Sequence, residues 1–490
     1  MTTQTESRAP APLAVDLDGT LIRGDIFFES ILAYVAAAPW RALLIFMWLM
    51  RGRAYAKAQL AERASPSPAD LPYDERVLAW LREQRAKGRT IVLATACDIA
   101  AAEAVARHVG LFDAVYASDG RTNLKAARKA ERLARAFPEG FVYAGNEAAD
   151  LHVWRAAKQA VLVNAGRGLA RRARDIASIE RTFEPEGNSW AALLEAMRPR
   201  QWAKNVLVFL PILVGQGWSD GPGLLKGWLA FFALCLAASS LYLVNDAFDI
   251  AADRKHPRKR QRPFARGALS PAKGLAAAVL MGAAGLGLAA LANVFVFAGA
   301  YMVMSAAYTL WLKRKVMADV FVLAALYAVR VVLGAEATDY AASSWMVAFC
   351  GFFFLSLALV KRVTELDVAS AAGTGQPKRR GYLLQDGSIL KTMGVASAFV
   401  SSLVLALYVQ SDVASAHYGA PVFLWALPGA SIFWLCRVWL LTERGAMHDD
   451  PVVFAFRDNV SLMVGVMTGL AFMLAVLGPA GVVAFIGGAN

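Results

Sequence analysis

The sequence predicts two parts of different fold class: an α/β domain first, then an all-α polytopic membrane bundle. Three observations predict this division. Of the 490 residues, 57% are hydrophobic, and the mean hydropathy is +0.43. Apolar runs long enough to span a bilayer fill the region after residue 200 and are scarce before it. The first 200 residues have an ordinary charge density. We therefore expect domains at 12–165 and 201–490, joined at 166–200 by a basic linker and interfacial helix.

Charge and cysteine usage exclude several protein classes. The net charge of +13 could indicate nucleic-acid binding. Much of the excess lies in loops between predicted spans, so membrane orientation explains it better and no nucleic-acid partner is expected. The cysteines, Cys97, Cys235, Cys350 and Cys436, lack CxxC spacing and indicate neither a disulfide frame nor a zinc site.

Three apolar runs in the first part are predicted to be buried strands. They start at Leu13, Thr90 and Gly140, and each ends in a polar segment. Helical runs separate them, which favours a Rossmannoid parallel sheet with its site at the carboxyl ends of the strands. No secretory signal precedes the first strand, so we expect this domain to be cytoplasmic.

Residues 27–50 are apolar enough to resemble a membrane span. However, the polar ends of the first two strands must meet in one site, and one crossing would separate them. The 24 residues are too few for two crossings, and Pro39 and Arg41 interrupt the run. We therefore predict a helical cap at about 24–88 that lies on the bilayer surface beside Arg51 and Arg53.

The second part is predicted to contain about nine transmembrane helices. The predicted spans are 203–219, 225–246, 272–290, 293–312, 317–335, 344–362, 392–410, 420–441 and 459–487, the last with a possible break at Gly478-Pro479.

Loop charges predict the orientation of these spans. Loops at one end of the predicted spans are rich in cations, whereas loops at the other end hold Lys226 and little else. The cationic loops are therefore assigned to the cytoplasm and the carboxyl terminus to the outside. The cationic loops hold Arg254–Arg266 with seven cations, Lys313–Lys315, Lys361–Arg362, Lys378–Arg380, Arg437 and Arg444.

An acidic cluster ends the second predicted span. On one helix, Asn245, Asp249, Asp253 and Asp246 lie near about 0°, 40°, 80° and 100°, within one arc. Arginines and lysines follow directly. Carboxylates next to cations suit a ligand that brings phosphate together with Mg²⁺, because Mg²⁺ takes one or two protein carboxylates plus phosphate oxygens. A solvated helix end followed by a cytoplasmic loop is the plainer alternative.

Arg330 lies deep in the fifth predicted span. An arginine at that depth usually faces a cavity or a partner, so it is a candidate for substrate binding, with a structural ion pair as the alternative. Lys361 and Arg362 end the sixth predicted span on the same side.

The first domain resembles the haloacid dehalogenase superfamily of phosphohydrolases over residues 13 to about 165. Asp16-x-Asp18-Gly19-Thr20, the later strand ends and Gly145-Asn146-x-x-x-Asp150 carry the resemblance. It implies a nucleophile that forms an aspartyl-phosphate, a general acid/base, a phosphate-holding hydroxyl, a neutralising lysine and Mg²⁺. The residues implied are Asp16 as nucleophile, Asp18 as acid/base, Thr95, Lys129 or Lys125, and Asp16, Asp18 and Asp150 for the metal.

One position departs from the pattern of that superfamily. Asn146 occupies the first acidic place of the last motif, so the site has one negative charge fewer. We expect a working phosphatase; a degenerate domain that binds phosphate or supports the membrane part is the alternative.

Residues 198–487 resemble the UbiA superfamily of intramembrane prenyltransferases. The resemblance is carried by Arg198-Pro199-x-Gln201-Trp202-x-Lys204-Asn205 and by Asn245-Asp246-x-x-Asp249-x-x-x-Asp253. It implies a helical bundle open to lipid, with Mg²⁺-bound pyrophosphate at the cytoplasmic mouth.

Within this superfamily the chain is similar to the branch that makes polyprenyl-phosphate phosphoribose. Aromatic prenyltransferases carry a second Asp-x-x-x-Asp motif near the end of the sixth span, where this chain has Lys361-Arg362-x-x-Glu365-x-Asp367. The similarity also rests on His256-Pro257-x-Lys259-x-x-Arg262-Pro263, Tyr308-x-x-Trp311-Leu312-Lys313 and Asp449-Asp450-Pro451-Val452.

The implied reaction is attack by a polyprenyl (decaprenyl) phosphate oxygen on C1 of phosphoribosyl pyrophosphate, which needs positioning and charge stabilisation more than a base. Mg²⁺ would be held on the leaving group by the acidic cluster, and cations would bind the phosphates. The implied roles are Asn245, Asp249 and Asp253 for the metal; Asp246 as a further ligand or ribose partner; Lys259, Arg262, Lys361 and Arg362 as phosphate clamps; and Lys204, beside Asn205, and Arg330 for the lipid phosphate.

Two other functions remain open. The first is prenylation of an aromatic acceptor from a polyprenyl diphosphate, and the second is transport of a phosphorylated solute. We expect a multi-pass protein of the bacterial plasma membrane, with the bilayer and a polyprenyl lipid as partners and a possible homo-oligomer. The fused phosphatase would remove the 5-phosphate from the lipid product.

Overall fold

The computed structural model describes residues 10–371, 381–447 and 450–487, with side chains as far as residue 478. The cations Lys378–Arg380 and the motif residue Asp449 lie outside the described residues. The chain forms two compact units, Met1–Met197 with Tyr242–Ala278, and Arg198–Leu241 with Val279–Asn490.

The first unit contains a parallel sheet, as the sequence predicts. Its described strands are β1 Leu13–Val15, β2 Ile91–Asp98, β3 Ala114–Ser118, β4 Val142–Gly145, β5 Gln159–Val163 and β6 Ser178–Phe183. They follow the spatial order β3-β2-β1-β4-β5-β6, and every neighbouring pair is parallel. Because β1 has β2 on one side and β4 on the other, its carboxyl end lies where the chain changes direction across the sheet, the usual place for a ligand site.

Helices connect these strands and form the segment predicted as a cap. The apolar run at 27–50 is two helices separated at Ala38–Trp40, where Pro39 interrupts helical pairing. Both are apolar helices of fewer than 18 residues, and the cap and its location on a bilayer surface stay predictions. The helices are α1 Ile26–Ala37, α2 Arg41–Met50, α3 Arg53–Ala64, α4 Glu75–Ala86, α5 Ile99–Val109, α6 Ala127–Ala136, α7 Leu151–Ala156, α8 Arg167–Arg174 and α9 Ser189–Met197, with 3₁₀ turns at Pro68–Asp70 and Ala148–Asp150.

The segment predicted as a linker, 166–200, contributes to the sheet. It contains α8, α9 and the edge strand β6, which pairs with β5. The sequence Ser178–Phe183 has only two apolar residues and is mostly half-exposed, so it lacks the apolar run by which the other strands were found. The basic helix predicted here corresponds to α8.

The second part of the chain is helical. Its α-helices are α10 Leu210–Val214, α11 Gly221–Phe248, α12 Ile250–Arg254, α13 Pro271–Leu291, α14 Phe295–Leu310, α15 Ala318–Thr338, α16 Ser344–Ala371, α17 Gly387–Gln410, α18 Asp412–His417, α19 Ala426–Glu443, α20 Pro451–Ala455 and α21 Asn459–Gly487. Turns of 3₁₀ helix occur at Pro199–Phe209, Lys259–Gln261, Leu312–Arg314, Leu384–Asp386 and Pro421–Trp425.

The expected count of nine spans is not confirmed. Among the described residues, seven helices are long and apolar enough to cross a membrane, which makes this a multi-pass membrane protein. The first predicted span is instead a 3₁₀ run, Pro199–Phe209, followed by the short α10; Pro199 and Pro211 each lack an N–H for helical pairing. The fourth, α14, has 16 residues, about 24 Å of helix.

The backbone is interrupted at Asp249 and at Gly478, two positions that bear on the predictions above. The acidic cluster does not lie on one uninterrupted helix, because α11 ends at Phe248 and Asp249 precedes α12 with φ −95° and ψ 4°. The pairing of Asp249 N with Asn245 O and of Asp253 N with Asp249 O continues across the break. The break predicted at Gly478 is confirmed by its φ of 69° and ψ of 167°.

Candidate active sites

The first site lies at the carboxyl end of β1. Asp16 follows Val15 directly and is 5% exposed. The Nζ atom of Lys129, on α6, lies 2.9 Å from Asp16 Oδ1. Lys125, the alternative, forms an ion pair with Glu147 at 2.9 Å. The structure therefore places Lys129 beside the predicted nucleophile.

Tyr143 connects this lysine to Asp150. Lys129 Nζ donates to the Tyr143 hydroxyl at 2.8 Å, and that hydroxyl donates to Asp150 Oδ1 at 2.9 Å. The other oxygen of Asp150 accepts the backbone N–H groups of Asn146 and Glu147, both at 2.9 Å. Both oxygens of this predicted metal ligand are thus engaged by protein groups. Sequence reasoning missed Tyr143, whose position within β4 suggested only a core residue.

Burial and charge change the protonation of the acids at this site. Burial raises the pKa of Asp16 to about 6, Lys129 opposes that effect and Asp150 adds to it. Burial also raises the pKa of Asp18 well above its usual value, and Asp25 contributes in the same direction. Asp16, the predicted nucleophile, thus lies beside a cation, and Asp18, the predicted acid, lies in a buried environment that favours its protonated form.

The loop that carries Asp18 is fixed on both sides. Asp18 Oδ1 accepts the N–H of Ile26 at 2.9 Å, and Asn146 Oδ1 accepts the Thr20 hydroxyl at 3.2 Å. Gly19 has φ +75°, and a side chain there would overlap Asn146. Asn146 therefore packs onto this loop, whether or not it ligates a metal.

Thr95 is buried on β2, and its Oγ1 accepts the N–H of Cys97 at 3.0 Å. Next to it, the ammonium of Lys57, from cap helix α3, donates to Ala96 O at 2.5 Å and Asn123 Oδ1 at 3.3 Å. Burial lowers the pKa of Lys57, while Asp18 opposes that effect. The sequence carried no signal for Lys57, because only the folded cap brings it to this edge of the sheet.

The acidic cluster after α11 brings two carboxylates together. Asp246 and Asp253 are 1% and 3% exposed. One nitrogen of Arg262, Nη1, lies 3.1 Å from Asp246 Oδ1 and 2.8 Å from Asp253 Oδ2. Burial raises the pKa of Asp253, Arg262 opposes this, and Asp246 adds to it. Arg262, predicted as a phosphate clamp, is here the counter-ion of both acids.

These acids are chemically suited to Mg²⁺. Among the residues that the structure describes, no three carboxylate, histidine or cysteine groups are arranged to hold a metal. Mg²⁺ usually takes one or two protein carboxylates and completes its shell with phosphate oxygens and water. The two buried carboxylates of Asp246 and Asp253 therefore provide the kind and number of protein oxygen ligands that such a site uses.

The other members of the predicted cluster lie beside these two acids along the chain. Asn245 Nδ2 donates to Asp246 Oδ1 at 3.4 Å, and Asp249 precedes α12. Lys259 is exposed in the 3₁₀ turn that follows.

The second unit contains a basic cluster centred on Asp450. Lys204 Nζ and Lys361 Nζ lie 2.7 Å and 3.5 Å from Asp450 Oδ2, and the Tyr327 hydroxyl donates to Oδ1 at 3.4 Å. Burial alone would raise the pKa of Asp450, but the two ammonium groups hold it well below its usual value. Asp450 was noted in the sequence only as part of a motif; its role between the lysines is a finding of the structure.

Arg330 is 6% exposed and belongs to the same unit. Its Nε donates to Asn205 Oδ1 at 2.9 Å and its Nη2 to the Tyr301 hydroxyl at 3.0 Å. The guanidinium also lies over the rings of Tyr301 and Tyr327, 4.9 Å and 5.4 Å from their centroids. Its contacts within the described chain are with neutral groups, which does not support the structural ion pair considered above.

Arg362 does not fit its predicted role. It is fully buried and lies 2.6 Å from Asp319, which is also fully buried, and it contacts Glu365. A guanidinium enclosed in this way forms a structural ion pair and is not placed to bind a substrate phosphate.

An apolar cavity of about 420 Å³ lies within the second unit. Aromatic side chains form much of its wall, including Phe349, Phe353, Tyr408, Trp434 and Phe472. A cavity with this lining is suited to a hydrocarbon chain.

The model of the UbiA prenyltransferase family matches residues 208–460. The uncharacterized protein y4nM of Sinorhizobium fredii is 38% identical over 471 residues, 95% of this chain and 91% of that protein. A decaprenyl-phosphate phosphoribosyltransferase of Mycolicibacterium smegmatis is 36% identical over 198 residues, 39% of this chain and 62% of that protein. A solved phosphoserine phosphatase, a phospho-aspartyl intermediate analogue, has a TM-score of 0.26 at 17% identity, covering 38% of this chain and 99% of that chain; so distant a match carries no argument.

Proposed function

Because the chain belongs to the UbiA prenyltransferase family, we propose that it transfers phosphoribose from phosphoribosyl pyrophosphate to a polyprenyl phosphate such as decaprenyl phosphate. An oxygen of the lipid phosphate attacks C1 of the ribose, and the bond from C1 to the pyrophosphate oxygen breaks. The attacking oxygen is already anionic, so no proton has to be removed. The reaction then depends on holding two polyanions and stabilising the departing pyrophosphate.

The basic cluster is the observation that carries this proposal. Lys204 and Lys361 bring two cations against the carboxylate of Asp450, and Arg330 is buried in the same unit, where it donates to Asn205. Among the described groups, two cations face one carboxylate here, and a bound anion would balance the additional positive charge. We assign Lys204 and Lys361 to a substrate phosphate, Arg330 to the positioning of Asn205, and the apolar cavity to the prenyl chain. The similarity to a decaprenyl-phosphate phosphoribosyltransferase supports the same acceptor.

The acidic cluster would hold Mg²⁺ through Asp246 and Asp253, with Asn245 and Asp249 as further ligands. Bound Mg²⁺ would neutralise charge on the leaving pyrophosphate. Arg262, which now bridges the two acids, would turn to the pyrophosphate when the metal takes its place, and Lys259 would contribute a further cation.

The first domain would remove the 5-phosphate from the lipid product. Asp16 attacks phosphorus and forms an aspartyl-phosphate, Asp18 gives its proton to the departing ribose oxygen, and water then releases phosphate. Lys129 neutralises the phosphoryl group and Thr95 holds it. The raised pKa of Asp18 supports its role as proton donor, and the ammonium of Lys129 beside Asp16 favours the ionised form of the nucleophile.

The test uses membranes containing the full chain, polyprenyl phosphate and phosphoribosyl pyrophosphate labelled in the ribose. We expect lipid-linked label that is lost on chelation of Mg²⁺ and in Lys204→Met, but kept in the control Lys226→Met, whose partner Asp339 is exposed. In Asp16→Asn the labelled lipid should keep its 5-phosphate.

Aromatic prenylation is the second candidate, since it uses the same metal cluster. Label that appears only from polyprenyl diphosphate and an aromatic acid would replace phosphoribosyl transfer by this reaction. Lipid-linked ribose that keeps its phosphate equally in the wild type and Asp16→Asn would refute the phosphatase assignment alone.

A further inference from the structure

A buried ion pair joins the turn after the acidic cluster to the phosphatase-like domain, within the first compact unit. Arg254 follows Asp253 directly and ends α12. Its Nη1 and Nη2 lie 2.7 Å and 2.8 Å from the two oxygens of Glu29, and its Nε donates to Ala265 O at 3.0 Å. The two side chains are 7% and 5% exposed. All three nitrogens of the guanidinium are therefore hydrogen-bonded.

Glu29 lies in the first turn of α1, close to the phosphatase-like site. Asp25 caps this turn by accepting the N–H of Phe28, and Ile26 N donates to Asp18. A side chain on Gly24 would approach Glu29 Oε1 to 2.5 Å. The carboxylate of Glu29 is thus buried beside a hydrogen-bonded turn that also contacts Asp18.

The loop after Arg254 also fits closely against this domain. Gly267 has φ +74°, and a Cβ at that position would come within 2.6 Å of Arg23 Cβ and 2.7 Å of its carbonyl oxygen. The Arg254–Glu29 pair precedes Arg262 in the chain, and the contact of Gly267 with Arg23 follows it. These two contacts therefore position both ends of the loop that carries Arg262, the residue that bridges Asp246 and Asp253.

The proposed chemistry uses neither Glu29 nor Arg254, so the pair needs another explanation. A buried ion pair adds little net stability, because the cost of desolvating both charges offsets much of their attraction. Its better-attested effect is to select one arrangement of the chain. Groups that hydrogen-bond to metal ligands commonly change metal affinity by about 10–100-fold when they are removed, and Arg254 would act comparably through the backbone that it shares with Asp253.

We propose that Arg254 is a positioning residue through which the first domain sets the place of Asp253, so that the metal-binding acids need this domain independently of its phosphatase chemistry. The proposal rests on the assignment of the acidic cluster to Mg²⁺ and pyrophosphate. Loss of the contact with Glu29 would free the turn that carries Asp253 and misplace its carboxylate.

The test measures binding of labelled inorganic pyrophosphate to the full chain in lipid nanodiscs as Mg²⁺ is varied. Specific binding is the part that Asp249→Asn removes. We expect Glu29→Gln and Arg254→Gln to raise the Mg²⁺ concentration for half-maximal specific binding about 10–100-fold. Exchange of the charges, Glu29→Arg with Arg254→Glu, should recover much of this loss.

Glu195→Gln is a matched control. Glu195 forms the same two-pronged contact with Arg266 of the same loop, at 3.0 Å and 2.7 Å, but the pair is largely exposed. We expect its Mg²⁺ dependence to equal that of the wild type, because exposed ion pairs contribute little.

A purely structural role gives a different result. If the Glu29 and Arg254 variants unfold at lower temperature but keep the wild-type Mg²⁺ dependence, or if Glu195→Gln shifts it equally, the inference is refuted. This outcome is separate from the proposed function: absence of lipid-linked ribose would refute phosphoribosyl transfer while the binding experiment still reports on the positioning role, since prenyl transfer also releases pyrophosphate.

Discussion

Replacement of Asp450 by asparagine tests the basic cluster directly. The substitution keeps the size of the side chain and an oxygen that can accept the N–H of Val452, now 3.2 Å from Oδ1. It removes the negative charge that Lys204 and Lys361 share. The two ammonium groups would then face each other without a carboxylate between them.

The expected loss of stability follows from burial. Lys204 and Asp450 are each 10% exposed and lie 2.7 Å apart, and breaking such a buried pair costs about 3–5 kcal/mol. Because the pKa of Asp450 is lowered in the folded state, its stabilising effect is complete above the ordinary carboxyl pKa of about 4 and fades as the pH falls further. The difference between the wild type and Asp450→Asn should therefore be constant from about pH 5 to 8.

Thermal unfolding in one detergent, with and without inorganic phosphate or pyrophosphate, measures both effects. If the lysines bind substrate phosphate, the added anion replaces the missing carboxylate and raises the Tm of Asp450→Asn more than that of the wild type. Asp339→Asn, which breaks only an exposed pair, should leave both measurements nearly unchanged. Equal stability of the wild type and Asp450→Asn, or an equal response of both to the anion, would refute the reasoning.

Three further predictions concern single contacts. Asp74→Asn should cost about 1.5–3 kcal/mol at pH 7, because this fully buried carboxylate accepts arginine donors that hold its pKa below the usual range; urea unfolding should show the difference shrinking below about pH 4. Tyr143→Phe should cost about 1–3 kcal/mol and slow phosphate release, measured with a phosphomonoester, since Asp150 Oδ1 loses its donor. Gly334→Ala should lower the Tm because its Cβ would overlap the Val208 carbonyl, whereas Gly299→Ala, which has open space, should gain about 0.5–1 kcal/mol; similar Tm changes in both would contradict this.

In the first domain, the pattern of apolar runs predicted central strands of the sheet but not the edge strand β6. The runs ending at Asp16, Thr95 and Gly145 were sufficient to predict a parallel sheet with a site at its carboxyl edge, because alternation of buried strands and helices restricts the fold to few arrangements. The edge strand at Ser178–Phe183 was not recognised, since a half-exposed edge strand needs few apolar residues. Lys57 was also missed, because the packing of the cap decides which of its side chains reaches the sheet.

In the membrane part, too, the sequence predicted some features and not others. Hydropathy was sufficient to predict a multi-pass bundle. It did not predict the number of spans, because Pro199 and Pro211 interrupt helical pairing and α14 is short, although these segments are apolar. Spacing in the sequence placed the acids of the cluster on one arc. It could not show that Arg262 is their counter-ion or that Arg362 is enclosed with Asp319.

The sequence by itself determined the two fold classes, the family resemblance and the residue types available for chemistry, because these follow from local periodicity and from motifs with fixed spacing. Only the tertiary structure decided which charges meet. Lys129 rather than Lys125 contacts Asp16, Asp450 lies between Lys204 and Lys361, and Arg254 reaches Glu29 across 225 residues of chain. The physical reason is that an ion pair depends on distance and burial in space, and residues far apart in sequence acquire both only when the chain has folded.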